Sequence, residues 1–433
     1  METARGGHDT TREEDASAPA IQPGWHLTCP RCGFASAPAL FAHGCPDCLA
    51  GGEAQGLVVA YDGDGATLPP APRTAAGVWK AGALLPRIAP RFAVTLGEGD
   101  TPLVHVPALS AASGCERLFL KLELANPTAA HKDRFHAVSL GVGRALGYTK
   151  VVSSSTGNHG LSMASYAAAH GMRAVVVCDE RMPPLLQRAI RFVGGLPLQL
   201  PADEGLALLA ALVDEDGWYP STSSWPMPVA NPFGVEGYKT IAYELYHDLD
   251  EAIPDLVFAP SAAGDGLVGL WRGMDDLRRL GITSRLPRLC TCQPTEAAPL
   301  VAALAQGLES VARLPRAFSR ALSIGDPISG GLAVRAVRES DGFGVAVDDE
   351  VIEETGRLLA ANGLIVETAS AAAVAGTLKA LREQPALRQQ TVVCLVTSSG
   401  LKWLDDYGDA SATGADRVAS VADARRLIAD RMA

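Results

Sequence analysis

A lysine stands between His131 and Asp133 in ELANPTAAHKDR, residues 123–134, just past the apolar run LFLKLEL and before any helical pattern has begun. On a loop between two elements such a lysine is ordinarily a solvated charge. Its meaning changes if other chemistry-bearing residues converge on it. Three loops share one placement, directly after a short β-branched run: STGNHG (Ser155 to Gly160) after KVVSSS, SAAGDG (Ser261 to Gly266) after LVFAP, and TSSGLKW (Thr397 to Trp403) after TVVCLV. In the first, glycine and small hydroxyls let backbone N–H groups converge on an anion, and Asn158 and His159 can reach inward; alone, it is equally a plain helix cap. The second opens a helix, so its small residues bring backbone close to a phosphate at the positive helix end, although Asp265 opposes one unless its carboxylate turns away. It lacks the lysine and hydroxyl of a nucleotide P-loop. The third offers a hydroxyl, that of Thr397, at a strand end.

A phosphate cradle, a hydroxyl at a strand end, an Asn-bearing turn and a loop lysine are the parts needed to hold pyridoxal phosphate as a Schiff base. A second constellation lies near the N-terminus. In LTCPRCGFASAPALFAHGCPDC, Cys29 and Cys32 form one CxxC and Cys45 and Cys48 another, with 12 residues between the pairs. Four thiolates on two facing knuckles suit a tetrahedral Zn2+ whose vertices are all filled, hence a structural ion; disulfides or chance are the competing explanations. So short a Gly/Pro-rich segment has too few apolar residues to fold alone, and a metal supplies the missing stability. His26 and His43 are spare candidates, expected at the surface. The other five of the nine cysteines lie in or beside apolar runs, as small reduced hydrophobes do.

These groups must be positioned by a scaffold, and the pattern supplies one. From about residue 96, continuous apolar strands alternate with amphipathic helices that end in glycine, which describes an α/β fold of two doubly wound parallel-sheet domains with a cleft at the strands' carboxyl ends. Residues 1–20 are expected to be a disordered tail, 21–60 the zinc ribbon, and 61–95, opening with YDGDGATLPPAPRTAAG, a linker. The catalytic core is expected over 96–415, with a smaller subdomain inserted at about 135–235, and a terminal helix over 416–433. The 433 residues suffice for several cores, and 48% hydrophobic with 20% charged residues is ordinary globular composition. A net charge of -11 argues against nucleic acid or an anionic membrane as partner, and the ribbon has only Arg31 between its four cysteines. No apolar run approaches the ~18 residues of a membrane span and the first residues carry no signal-peptide core, so a cytoplasmic location is expected.

With these motifs in hand, the chain resembles the threonine synthase branch of the fold-type II pyridoxal phosphate enzymes, the tryptophan synthase β-like group. The resemblance is collinear from the cysteine pairs to about residue 405. It runs through LGEGDTPL (96–103), NPTAAHKDR (126–134), SSTGNHG (154–160), NPFGVEGYKT (231–240), PSAAGDGLVGLWRG (260–273), ETASAAAVAG (367–376) and VTSSGLKW (396–403). It implies that Lys132 binds the cofactor aldehyde and moves the substrate α-proton. Asn158 would bond the cofactor's phenolic oxygen, and the backbone of Ala262, Ala263, Gly264, Asp265 and Gly266 would bind its phosphate. Thr397 would face the pyridine nitrogen, leaving that ring unprotonated, with Glu367 nearby. Ser155, Thr156 and His159 would hold the substrate carboxylate.

The departures from the family pattern are equally specific. Ala129, Ala130 and His131 stand where Gly-Ser-Phe is usual, and His131 is either a second acid/base or a structural contact. Gly234 and Val229 replace an arginine and a serine that grip a substrate phosphate, which puts O-phosphohomoserine in doubt. The expected function is a lyase of threonine-synthase-like type, eliminating or replacing a β or γ group on a small amino acid. A serine/threonine ammonia-lyase is the alternative, and a zinc-ribbon interaction protein with a relic enzyme body is an alternative of another class. The resemblance also implies a homodimer.

Overall fold

The computed structural model describes residues 18–63, 67–68, 77–178, 181–221, 229–312, 319, 321, 329–404 and 418–432. Most of the expected tail and residues 64–66 and 69–76 of the expected linker lie outside them.

The larger sheet is ordered Gly344–Val347, Arg288–Pro294, Leu256–Pro260, Val392–Val396, Leu118–Leu122, Leu103–His105. Its pairings are parallel except at the last edge, where Leu103–His105 runs antiparallel. The central strand VVCLV is buried along its whole length, as a strand covered on both faces requires. The alanine-rich helix Thr368–Glu383 covers one face; a Cβ at Gly376 would lie 2.4 Å from Cys292 Sγ, so only glycine permits this helix-to-strand approach. The smaller sheet is all parallel, ordered Leu196–Gln199, Arg173–Cys178, Lys150–Ser155, Tyr219–Pro220. The α/β class and parallel sheets expected from the sequence are present.

The cysteine-bearing segment folds into a three-stranded antiparallel sheet, Ala35–Ser36, Trp25–Thr28 and Val58–Tyr61. It is docked on the core. Tyr61 donates to Glu236 (2.5 Å), the Arg272 guanidinium donates to the Val59 carbonyl (2.5 Å) and to Glu236 (2.8 Å), and Lys239 lies over the Tyr61 ring. The linker expectation is corrected in its second half. Within 77–92, Val78, Ala81 and Leu84 are buried in the 3-10 turn Gly77–Leu84, and Leu85, Ile88 and Ala89 in the stretch that leads to the turn Pro90–Phe92. The apolar residues of VWKAGALLPRIA outweigh the proline-rich beginning of the span.

The helix Lys132–Ala145 is held against Pro232–Asp248 by two features. A Cβ at Gly237 would lie 2.0 Å from the Arg134 carbonyl oxygen, so the backbones touch. Beside that contact, Arg134 is fully buried and forks onto Glu123 (2.7 and 2.8 Å) and Glu244 (2.6 and 2.7 Å), with Thr240 at 2.8 Å. Burial alone would raise the Glu244 carboxyl, but Arg134 and Lys121 outweigh it and hold that carboxyl well below the usual range. Removing the guanidinium between two buried carboxylates leaves buried negative charge undercompensated, even with Lys121 still beside Glu244. Arg134→Met is therefore expected to cost about 3–5 kcal/mol of unfolding free energy in urea titration; a loss below about 1 kcal/mol would show that the cluster does not hold the helix.

Candidate active site

Lys132 is the first residue of its helix, because the preceding segment cannot be helical. Ala129 has a left-handed backbone, φ 57, a conformation that costs a non-glycine residue about 1–2 kcal/mol. Backbone pairing compensates. Ser399 N–H donates to the Ala129 carbonyl (3.0 Å), His131 N–H donates to the Thr397 carbonyl (2.8 Å), and Ala130 bridges to Ser398. Lys402 donates to the carbonyls of Thr128 and Ala129 (2.7 and 3.0 Å). On the other side of Lys132, Asp133 accepts from Thr128 N–H, Thr128 Oγ1 and Ser162 Oγ. Lys132 thus sits between two pinned neighbours on a segment zipped to the Thr397 loop.

Its side chain turns inward, 17% exposed. Nζ donates to Tyr238 Oη at 3.0 Å and lies 3.5 Å from Asp265 Oδ2, at the head of the helix Asp265–Arg279. The lysine therefore faces the second loop. The third is reached through His131, whose ring stacks on Tyr238 (centroids 5.1 Å apart) and whose Nδ1 lies 3.2 Å from the Thr397 carbonyl oxygen. Thr397 Oγ1 is 3.0 Å from Ser370 Oγ. At the first loop, Asn158 heads the helix Asn158–Ala169, and its amide nitrogen donates to Glu367 and to Ser398 Oγ, the latter at 3.2 Å. The strand-end loops meet around Lys132 and Asn158.

The fit of pyridoxal phosphate can be judged from atoms left without partners. Asn158 Oδ1 and Ser261 Oγ are buried and accept or donate nothing within the protein, although buried polar atoms are nearly always paired. Ser261 begins the loop through Ala262, Ala263 and Gly264 to Asp265 and Gly266, where a helix N-terminus and left-handed Gly264 (φ 85) present backbone N–H groups to an anion. A flat, polar group with an anionic tail matches these residues. Gly264 is fixed by close packing, since a Cβ there would lie 2.8 Å from Ala333 Cβ.

The proposed carboxylate-holding residues differ among themselves. Ser155 Oγ accepts from Gly157 N–H (3.0 Å) and Gly160 N–H (2.8 Å), so this hydroxyl shapes the turn. Thr156 is half-buried on the turn. His159 faces the interior, with Nε2 3.1 Å from His136 Nε2 and 3.4 Å from Ser221 Oγ. His136 in turn places Nδ1 3.0 Å from the Lys132 carbonyl oxygen. Neither this pair nor the Tyr238 contact was read from the sequence. Tyr238 does lie in the quoted NPFGVEGYKT, and the glycine at 237 marks where that helix approaches the lysine-bearing one.

Near the N-terminus, Cys29, Cys32, Cys45 and Cys48 bring their sulfurs within 4.8 Å of one another, a set that could hold one metal ion. His26 and His43 stand apart, paired with Asp62 (2.8 Å) and Asp214 (2.9 Å).

Burial, joined by the Lys132 charge, lowers His131 to about 3; burial likewise holds His136 and His159 well below the ordinary imidazole value. All three are neutral in the folded chain and gain a proton near pH 6.5 only on unfolding. Their contribution is thus present above about pH 6.5 and declines as the pH falls, by up to about 1.4 kcal/mol per pH unit for each. Asp133, raised by burial to about 6, acts oppositely. It stabilises below its unfolded value and loses that effect as pH rises through about 6, offsetting roughly one histidine. Unfolding free energy in urea is expected to fall from pH 7 to pH 5, less steeply in His136→Gln. A flat profile would contradict the buried neutral imidazoles.

Comparison with known proteins agrees with this geometry. Residues 94–398 match the family model described as pyridoxal-phosphate dependent enzyme. The threonine synthase of Methanocaldococcus jannaschii is 34% identical over 334 residues, covering 75% of this chain and 80% of that protein. The threonine synthase of Mycobacterium bovis is 35% identical over 313 residues, covering 71% and 83%. Among solved structures, an L-serine ammonia-lyase from Rhizomucor miehei superposes with a TM-score of 0.61 at 21% identity, covering 71% of this chain and 97% of its own. A threonine deaminase from Solanum lycopersicum gives 0.60 at 19%, covering 74% and 85%. With a family model matching residues 94–398 and relatives 34–35% identical over most of their length, this chain belongs to the pyridoxal-phosphate dependent enzymes.

Proposed function

We propose that the chain is a pyridoxal-phosphate dependent lyase of threonine-synthase-like type, eliminating or replacing a β or γ substituent of a small amino acid. The observation that carries this is the inward-facing Lys132 Nζ, within reach of Tyr238 and the head of the helix Asp265–Arg279. When bound there, the cofactor supplies an electron sink that acidifies the substrate α-C–H. Lys132 holds and moves the α-proton at Nζ. Tyr238, kept a neutral phenol by burial and by Asp265, orients that nitrogen. The backbone of Ala262 through Gly266 grips the phosphate and Asn158 the phenolic oxygen. Thr397 offers a neutral hydroxyl to the ring nitrogen, which favours elimination over transamination. The turn at Ser155 and Thr156 presents N–H groups to the substrate carboxylate, with His159 supporting it from behind. Cys29, Cys32, Cys45 and Cys48 hold a structural Zn2+.

One observation favours the second reading, a serine/threonine ammonia-lyase. A Cβ at Gly234 would lie 2.3 Å from the ring of buried Phe135, so no arginine fits there to grip a substrate phosphate. Assays divide the two. Inorganic phosphate released from O-phosphohomoserine supports the first, and oxoacid with ammonia from threonine or serine supports the second. Lys132→Ala is expected to retain the fold by circular dichroism while losing turnover and the cofactor absorption in the ~400 nm region; turnover within about tenfold of the parent would refute the assignment. Purified protein that shows no cofactor absorption in the ~400 nm region would favour the zinc-ribbon interaction protein with a relic enzyme body.

Chelation is expected to lower the melting temperature of the whole chain, because the cysteine-bearing sheet is bonded to Glu236 and Arg272. A core transition that stays put in the chelator would separate the ribbon from the core's stability.

A further inference from the structure

The cofactor loop carries a carboxylate where an anion is to be held. Asp265 is buried, 8% exposed, at the first position of its helix. Its Oδ1 accepts from Gly266 N–H at 3.0 Å, one of the backbone donors a phosphate would use, and its Oδ2 lies 3.5 Å from Lys132 Nζ. The loop cannot retreat to make room. Gly264 packs on Ala333, and Ser329 N–H donates to the Ala263 carbonyl at 2.7 Å. The nearby imidazole of His131 is neutral and supplies no balancing charge.

Granting that Ser261–Gly266 is the phosphate cradle, we infer that Asp265 is a built-in competitor of the cofactor phosphate. Its carboxylate occupies the anion-holding end of the helix and takes Lys132 as counter-ion. Loading pyridoxal phosphate must turn that carboxylate out and release the lysine. Two obstacles follow. The carboxylate repels the incoming phosphate, and by pairing with Lys132 Nζ it keeps that nitrogen from the aldehyde it is to attack. The chain would therefore bind its cofactor more weakly, and prefer it less over the phosphate-free aldehyde, than the same loop without the charge. Asp265 in this account is a positioning residue, acting through Lys132 and the loop.

The experiment is an equilibrium titration of cofactor-free protein with pyridoxal phosphate and, separately, with pyridoxal, followed by cofactor absorbance and tryptophan quenching. Parent, Asp265→Asn and Asp265→Ala are compared, with folding checked by circular dichroism and thermal melts. Asparagine keeps an oxygen for Gly266 N–H and removes only the charge, whereas alanine also frees the N–H. The expected result is at least about tenfold tighter binding of pyridoxal phosphate in both variants, a gain of about 1.4 kcal/mol. Pyridoxal should shift less than about threefold, and inorganic phosphate should compete more strongly in the variants. Equal or weaker binding of pyridoxal phosphate by the folded variants would overturn the inference and leave the proposed function intact. Failure of all three proteins to bind pyridoxal phosphate would overturn both. If Asp265→Ala melts early, Asp265→Asn alone decides.

Discussion

The arrangement depends on one buried charge cluster, Arg134 between Glu123 and Glu244. Each carboxylate comes from a different part of the chain: Glu123 from the short turn after the strand Leu118–Leu122, Glu244 from the helix Pro232–Asp248. The guanidinium thus ties the lysine-bearing helix to the larger sheet and to the helix that carries Tyr238. A buried ion pair is a weak source of stability against an apolar replacement, yet a strong determinant of geometry, since few arrangements satisfy every donor of a fork. Lys121, fully buried with salt bridges to Glu244 and Asp248, extends the cluster. Two residues from this anchor, Lys132 has little freedom over where its side chain begins.

Around that fixed point, the fold brings loops together that are far apart in sequence. Parallel strands share a direction, so the segments that follow them emerge at one edge, and helix N-termini gather there with them. Glycine then sets how closely helices approach. Gly237 lets backbone meet backbone at Arg134, while Gly234 yields its space to Phe135. The aromatic ring at 135 and the glycine at 234 are complementary, and together they form a neutral, tightly packed contact.

Much of this was legible in the sequence because it is written in local chemistry. Small residues after β-branched runs identify strand-end turns, and the loop lysine gains meaning only when three such turns are taken together with it. The CxxC pairs likewise announce their convergence. What escaped the sequence depends on distant side chains. Tyr238 reaches Lys132 across 106 residues, and the His136–His159 contact joins two helices whose mutual angle no periodicity reveals. Ser155 caps its own turn, a choice between two partners that only backbone geometry decides. The packed stretch 77–92 was concealed by the prolines and glycines before it. The antiparallel edge strand Leu103–His105 is too short for its alternation to register.

Covalent attachment of the cofactor at Lys132 is read out by peptide mapping. Protein incubated with pyridoxal phosphate and then reduced with borohydride would carry the reduced cofactor permanently on whichever lysine held it. Lys402 is the informative competitor: it lies against Thr128 and Ala129, and burial lowers it to about 8, favourable for reaction with an aldehyde. The added mass is expected on the peptide containing Lys132, stoichiometrically, with Lys402 unmodified. Label on Lys402, or spread over surface lysines with residue 132 bare, would contradict it.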